Sequence, residues 1–228
     1  MIKVANLNKV FNKNKVLENI NFTINNSQIA VIYGLNGSGK TTLIKCLVGL
    51  LKSENNGIEF DGINKSQISL YLGHEMLINS LTAYEYLYLS AVLKNISHSD
   101  IEKKILEFSK ILNFENYLNQ YISKLSFGTK SKILFTVATM NNPKVLIMDE
   151  PFIGIDLVTL EKLMKVLVEL KINGCTILIS SNQVEFLESI IDKVLILKDN
   201  KILIDKTIED LNIQNFKQLS NMILTHLK

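Results

Sequence analysis

Residues 34–42 read Gly-Leu-Asn-Gly-Ser-Gly-Lys-Thr-Thr, a spacing that suits one chemical task, the holding of phosphate. Gly34, Gly39, Lys40 and Thr41 fill the pattern G-x-x-x-x-G-K-[ST]. Glycines let the backbone curl so that successive N–H groups point at phosphate oxygens, and a helix dipole behind the curl adds to the attraction. Lys40 then reaches the β- and γ-phosphates and the Thr41 hydroxyl binds Mg²⁺, while Asn36, Gly37, Ser38 and Thr42 complete the loop. The plain alternative is a glycine-rich turn before a helix. From average residue usage the four fixed positions match by chance in such a chain on the order of 1% of the time. A second cluster has complementary chemistry. Val145-Leu146-Ile147-Met148 runs straight into Asp149-Glu150, an apolar strand ending in two carboxylates, and bare carboxylates are costly to desolvate unless they meet cations. Beside a phosphate loop, Asp149 holds Mg²⁺ through water and Glu150 faces the γ-phosphate to orient an attacking water.

Both clusters require strands that deliver them to one place. Ile29–Tyr33 is apolar throughout, as buried parallel strands are, and Thr41–Leu51 is expected to be the helix that follows it. Ile2–Leu7 and Val16–Ile24 alternate apolar and polar residues around a polar turn at Asn12–Lys15, which predicts an antiparallel hairpin. Gly57–Asp61 and Ser69–Leu72 suggest further strands. From Thr82 to Met140 the period is helical; Ser99-Asp100-Ile101-Glu102 has the form of a capping box, followed by Ile101, Ile105, Phe108 and Leu112 on one face. Strand and helix then alternate over Lys144–Met148, Asp156–Lys171, Thr176–Ser180 and Asn182–Ile191, before the strands Val194–Leu197 and Lys201–Ile204 and a helical tail. Such alternation predicts an α/β fold with a parallel sheet between helices.

Composition removes several function classes. The 228 residues are 47% hydrophobic and 21% charged with a net charge of +3, ordinary for a globular chain and too evenly spread for a nucleic-acid partner. Lys103-Lys104, between Glu102 and Glu107, reads as a solvated helix face. No apolar run approaches the roughly 18–20 residues of a membrane span, and the opening MIKVANLNKVF lacks the form of an export signal. Cys46 and Cys175, the two cysteines, suit a reduced core rather than a disulfide framework. The chain contains no arginine, so extra positive charge on a transferring phosphoryl group must come from lysine, metal, backbone dipoles or another chain.

Over nearly its whole length the sequence resembles the ATP-binding subunits of ABC transporters. Between the two phosphate motifs lies Leu125-Ser126-Phe127-Gly128-Thr129, similar to the LSGGQ signature of that family, and Pro151-Phe152-Ile153-Gly154-Ile155-Asp156 resembles the loop after the second motif. The resemblance implies a P-loop NTPase core with a mainly parallel sheet, an N-terminal antiparallel β subdomain and a helical subdomain inserted at about residues 75–142, all in one domain of residues 1–228. It implies ATP and Mg²⁺ as ligands and Phe11 as the ring that stacks on adenine. It also implies a head-to-tail homodimer or heterodimer in which Ser126 and Gly128 close the partner's nucleotide, with Asp156 in the dimer loop and a separate membrane-spanning permease as partner. The subunit is then expected at the cytoplasmic face of the membrane, and a lone monomer is expected to hydrolyse ATP poorly.

Three departures from the family pattern bear on mechanism. Phe127 and Thr129 replace a glycine and a glutamine of the signature. The loop Tyr71-Leu72-Gly73-His74-Glu75 carries no glutamine; Gln67 is too early, and His74 or Glu75 is the stand-in. Asn182 occupies the place of the switch histidine and is assigned with Glu150 and Lys40 to catalysis, although asparagine cannot become a cation. The short length fits simple exporters, so export is expected, and Tyr71–His74 with Leu81-Thr82-Ala83 resembles the branch associated with haem export. A soluble ATPase module without transport and an ATP-dependent clamp with weak turnover are the competing readings.

Overall fold

The computed structural model describes residues 1–55, 57–183, 187–213 and 215–227. Its larger sheet has six strands in the order β5-β6-β7-β3-β8-β9, formed by β3 (Ile29–Tyr33), β5 (Ile68–Tyr71), β6 (Val145–Asp149), β7 (Thr176–Ser181), β8 (Lys193–Lys198) and β9 (Lys201–Thr207). The first five in that row pair in parallel and β9 closes the edge antiparallel to β8. A separate sheet holds β1 (Ile2–Phe11), β2 (Asn14–Ile24) and β4 (Ile58–Phe60), with β1 in the middle and antiparallel to both neighbours.

Why the large sheet sits at the centre follows from the strand residues themselves. All five residues of β3 and all five of β6 are buried, and alternate side chains enter different cores. Ile29, Val31 and Tyr33 pack with Ile177 and Ile179 and with apolar residues of the long helices. Ala30 and Ile32 pack instead with Leu178, with Leu43 and Ile44, and with the small sheet through Ile2, Val4 and Phe22. One face thus carries α1 (Lys40–Leu47) and the small sheet. The other carries α2 (Ala83–Leu93), α3 (His98–Ile111), α4 (Phe127–Thr139), α5 (Leu157–Ile172) and α6 (Phe216–Leu227). Helices α2 to α4 occupy the chain between β5 and β6, where the sequence pattern places the helical insertion.

The hairpin turn is Asn12-Lys13, both left-handed at φ 44° and 73°, the twist that suits two-residue hairpins. Asparagine takes over much of glycine's work in this chain. Eight of the twelve left-handed non-glycine residues among those described are asparagines, a residue that tolerates this conformation. Two such residues, Asn6 and Asn19, sit where β1 and β2 lose register, and their N–H groups donate to Asn21 Oδ1 (2.9 Å) and Asn8 Oδ1 (2.8 Å).

Several local expectations need correction. The helix behind the phosphate loop ends at Leu47, not Leu51, because Gly49 turns left-handed at φ 76° and breaks the helical path. Helix α3 is capped at Ser97 rather than at Ser99; Ser97 donates to Asp100, so the acidic residue serves the earlier serine. A true capping box stands at Thr82, whose Oγ1 accepts from Glu85 N (3.2 Å) while Glu85 Oε2 accepts from Thr82 N (2.8 Å). Lys104 does not lie on a solvated face, since its Nζ donates to Met140 O (2.8 Å) at the C-terminus of α4, a favourable end for a cation. The helix expected over Asn182–Ile191 is absent among the described residues: Asn182 is a bend and 188–190 a turn, with 184–186 outside the described residues.

Candidate functional site

The carboxyl ends of β3, β6 and β7 meet at one edge of the large sheet, where open α/β sheets place ligands. The phosphate loop leaves β3 at Gly34 and curls back into α1. A Cβ at Gly34 would collide with Ser38 Oγ and lie 2.8 Å from Leu197 O, so the loop closes only around glycine. Gly37 and Gly39 adopt φ 81° and 104°, and a side chain at Gly39 would press on Val16 O at 3.1 Å. The Ser38 hydroxyl is buried without a hydrogen-bond partner, an unmet donor inside a loop shaped for phosphate oxygens. Lys40 is buried, and its ammonium donates to Gly34 O (2.8 Å) and Leu35 O (3.2 Å) while lying 3.2 Å from Glu150 Oε1. Gly34, Asn36, Gly37, Ser38, Gly39, Lys40, Thr41 and Thr42 are therefore in one continuous curl, as the sequence spacing requires.

At the end of β6, Asp149 is buried and its carboxylate is held by hydroxyls from two directions. Thr41 Oγ1, in the first turn of α1, donates to Oδ2 at 2.6 Å, and Ser180 Oγ, on β7, donates to Oδ1. No salt bridge to Asp149 occurs among the described residues. A buried carboxylate with hydroxyl partners and no cation fits a hard divalent ion. The donor set of one carboxylate and one hydroxyl is what Mg²⁺ takes when substrate phosphates and water supply the rest. Glu150 follows in a left-handed conformation, φ 47°, which costs about 1–2 kcal/mol for a residue with a Cβ. Its N–H is bonded to Ser180 O (3.2 Å) and Ser180 Oγ (3.0 Å), so β7 offsets that strain. Asn182 N donates to Glu150 Oε2 at 3.2 Å, and Asn182 Nδ2 donates to Asn36 Oδ1 at 3.0 Å. The carbonyl oxygen of the Asn182 side chain is buried with no partner. One group important here was not singled out from sequence. Ser180 joins Asp149 to Glu150, and a polar residue ending an otherwise apolar strand was its signal.

The remaining expected residues lie elsewhere. Phe11, at the hairpin tip, is 41% exposed with Lys9 Nζ 4.8 Å from its ring centre, a surface ring free to stack rather than a core residue. Ser126 caps α4, its Oγ accepting from Thr129 N at 3.2 Å. A Cβ at Gly128 would stand 3.0 Å from Gly154 O, which puts the N-terminus of α4 against the loop after β6. Asp156 caps α5 through Thr159 N (2.9 Å) and Thr159 Oγ1 (2.7 Å), and these bonds, with Lys132 at 3.9 Å, hold its carboxyl below the usual range. His74 is engaged: its Nε2 lies 2.9 Å from Ser131 Oγ and its ring packs on Phe127. Burial, and then the charge of Lys130, push its pKa down. Glu75 folds back over Gly73, whose φ is 111°. The cysteines are buried and free, and burial pushes the Cys175 thiol up to about 12.

With this geometry in place, comparison with known proteins is decisive. A family model described as ABC transporter matches residues 17–153. An uncharacterised ABC transporter ATP-binding protein of Methanocaldococcus jannaschii is 34% identical over 210 residues, 92% of this chain and 79% of the relative. The chain belongs to the ABC transporter family. It is an ATP-binding subunit with the ATPase domain of that family. The lantibiotic transport ATP-binding protein SrtF of Streptococcus pyogenes is 28% identical over 226 residues, 97% of this chain and 96% of the relative. Among solved structures, an ATP-binding subunit of an ABC transporter superposes with TM-score 0.89 at 24% identity, covering 100% of this chain and 99% of the other. A dimeric ATP-binding cassette in a post-hydrolysis state, bound to ADP and Pi, gives TM-score 0.82 at 24% identity, covering 91% and 98%. Both bear out the α/β fold with its mostly parallel large sheet and antiparallel N-terminal sheet.

Within the curl of residues 34–42, the candidate nucleotide seat, Gly34 is the tightest point. Gly34→Ala is expected to weaken ATP binding at least about 100-fold, since either the Ser38 side chain or the strand β8 carbonyl must be displaced. Titration with a fluorescent ATP analogue checks this. Affinity within about two-fold of wild type would show that the curl does not form the nucleotide seat.

Proposed function

We propose that this subunit hydrolyses ATP at a site completed by a second copy or a related subunit, and that the cycle drives export through a separate membrane-spanning permease. The observation that carries the reading is the convergence of Lys40, Thr41, Asp149, Glu150 and Asn182 at the ends of three adjacent parallel strands. All three donors of the Lys40 ammonium have partners here. A phosphate entering the loop displaces the contact with Glu150, which leaves that carboxylate to face the γ-phosphate side. Thr41 and Asp149 would hold Mg²⁺, which supplies charge neutralisation to the phosphates. Glu150 orients and polarises a water for in-line attack, held by its backbone bonds to Ser180 and by Asn182 N. The unpaired carbonyl oxygen of Asn182 is positioned to accept a hydrogen bond from that water, and its Nδ2 ties the switch strand to Asn36 of the phosphate loop.

Because no arginine is present, the transition-state charge opposite Lys40 falls to dipoles. Ser126 and the Gly128 N–H at the N-terminus of α4 supply them in trans when two subunits pair head to tail. Phe11 would cover the adenine, and Asp156 and its loop would line the contact between subunits.

No helix among the described residues is long and apolar enough to cross a membrane. Membership of the ABC transporter family supports a separate permease as partner and a position at the cytoplasmic face beside it. Relatives named for a cargo include SrtF and the SkfA peptide export ATP-binding protein SkfE of Bacillus subtilis. They favour peptide export over haem export. The residues that resembled the haem-export branch have local work to do. Thr82 caps α2, Ala83 and Tyr71 are buried, and His74 bonds Ser131. Haem export is not shown by the relatives, and the peptide-export names are what support the reading.

Glu150→Gln should bind Mg·ATP, stall before hydrolysis and elute as a dimer on gel filtration with ATP, while phosphate release falls by at least about 100-fold. A variant that hydrolyses at the wild-type rate, or that forms no dimer with ATP either alone or with a related subunit, contradicts the shared site. Asn182→His restores a group able to carry charge. Its turnover should rise about 10–100-fold if the charge-assisted bond of roughly 1.5–3 kcal/mol is felt in the transition state. Unchanged turnover would mean that Asn182 acts through position alone.

A further inference from the structure

Two of the departures from the ABC pattern touch each other. The loop after β5 offers His74 where the family has glutamine nearby, and the signature offers Phe127 in place of glycine. Their ring centres are 4.0 Å apart with planes at 47°. Ser131, one turn beyond Phe127 on α4 and buried, cements the contact. Its hydroxyl donates to Phe127 O at 3.2 Å. Having one proton to give, it accepts from His74 Nε2 at 2.9 Å, which fixes the tautomer with hydrogen on Nε2. On its other side the Phe127 ring lies over Gly154, where a Cβ would come within 2.6 Å of Cδ1 and 3.0 Å of Cε1. Gly154 is also left-handed at φ 72°, so both the backbone and the ring require glycine there.

We infer that His74 and Phe127 are positioning residues forming a latch that makes the loop after β5, the signature and the loop after β6 move as one body. The inference rests on the proposed shared site and deepens it. A glutamine in the loop could reach toward its own metal site; His74 instead is held to α4. The loop then reports where the signature stands, and the signature's arrival at the partner's nucleotide carries the loop with it. Phe127 is 53% exposed, so its inner surface makes the latch while its outer surface remains available to the facing subunit.

The test is a double-mutant cycle on the full chain, with ATP titrated and phosphate release followed. His74→Ala and Phe127→Ala should each lower kcat about 10-fold while KM for ATP stays within about two-fold. The double variant should be no slower than the slower single variant within about two-fold, because either change opens the same latch. Phe127→Tyr, which keeps the ring, should restore kcat to within about two-fold of wild type. Phe127→Leu serves as the milder truncation if Phe127→Ala melts early. Multiplicative losses in the double variant, or a Phe127→Tyr chain as slow as Phe127→Ala, overturn the latch and leave the proposed function standing. A wild-type chain without turnover both alone and with a related subunit removes the proposed function, and the latch with it.

Discussion

The buried carboxylate of Asp149 is the contact on which the site is organised. It sits at the end of a fully apolar strand, and its two oxygens are held by hydroxyls from α1 and β7. Those two bonds set the phosphate loop, the proposed catalytic carboxylate Glu150 and strand β7 in a common frame. Ser180 is the hinge of that arrangement, because the same hydroxyl that donates to Asp149 accepts from the Glu150 N–H. Glu150 can thus keep its left-handed backbone, and its side chain returns toward Lys40 rather than continuing the strand. Removing one hydroxyl would leave a buried charge under-bonded, at a cost of roughly 1–3 kcal/mol. The frame therefore persists only while both neighbours stay in place.

Charge economy explains the rest of the site. A chain without arginine has Lys40, a metal and helix dipoles with which to meet a triphosphate. Lys40 is shared among two carbonyls and one carboxylate, so in the proposed cycle nucleotide competes for it and that competition redirects Glu150. Neutral Asn182 adds geometry rather than charge. It bridges the phosphate loop and the switch strand through Asn36, and leaves one buried oxygen in need of a donor. The signature, seated on its own subunit's loop after β6, is available to a partner only as part of a larger unit that includes His74.

Sequence made the chemistry legible where spacing is local. Gly34 to Thr42 and Asp149-Glu150 could be read because a few adjacent residues define the task. β3, β6 and β7 could be read because a strand buried on both faces is apolar throughout. Contacts across long sequence separation were not legible. Nothing near Lys104 says that it will cap α4, and nothing near His74 says that Phe127 will meet it 53 positions later, at a ring separation of 4.0 Å. The start of α3 was misplaced because two serines stand two residues apart and only Asp100 chooses between them. Among the described residues, eight of the chain's 25 asparagines stand at left-handed positions that would otherwise call for glycine.

The central claim is that Asp149 and Thr41 form the metal seat beside the phosphate loop. It is tested most directly by electron paramagnetic resonance of Mn²⁺, substituted for Mg²⁺, titrated into protein with ATP. The account predicts a protein-bound Mn²⁺ signal in the wild type that appears only with ATP. It predicts that Asp149→Ala loses this signal while the metal-free nucleotide still binds through residues 34–42. An Asp149→Ala chain that holds Mn²⁺·ATP as the wild type does would contradict it.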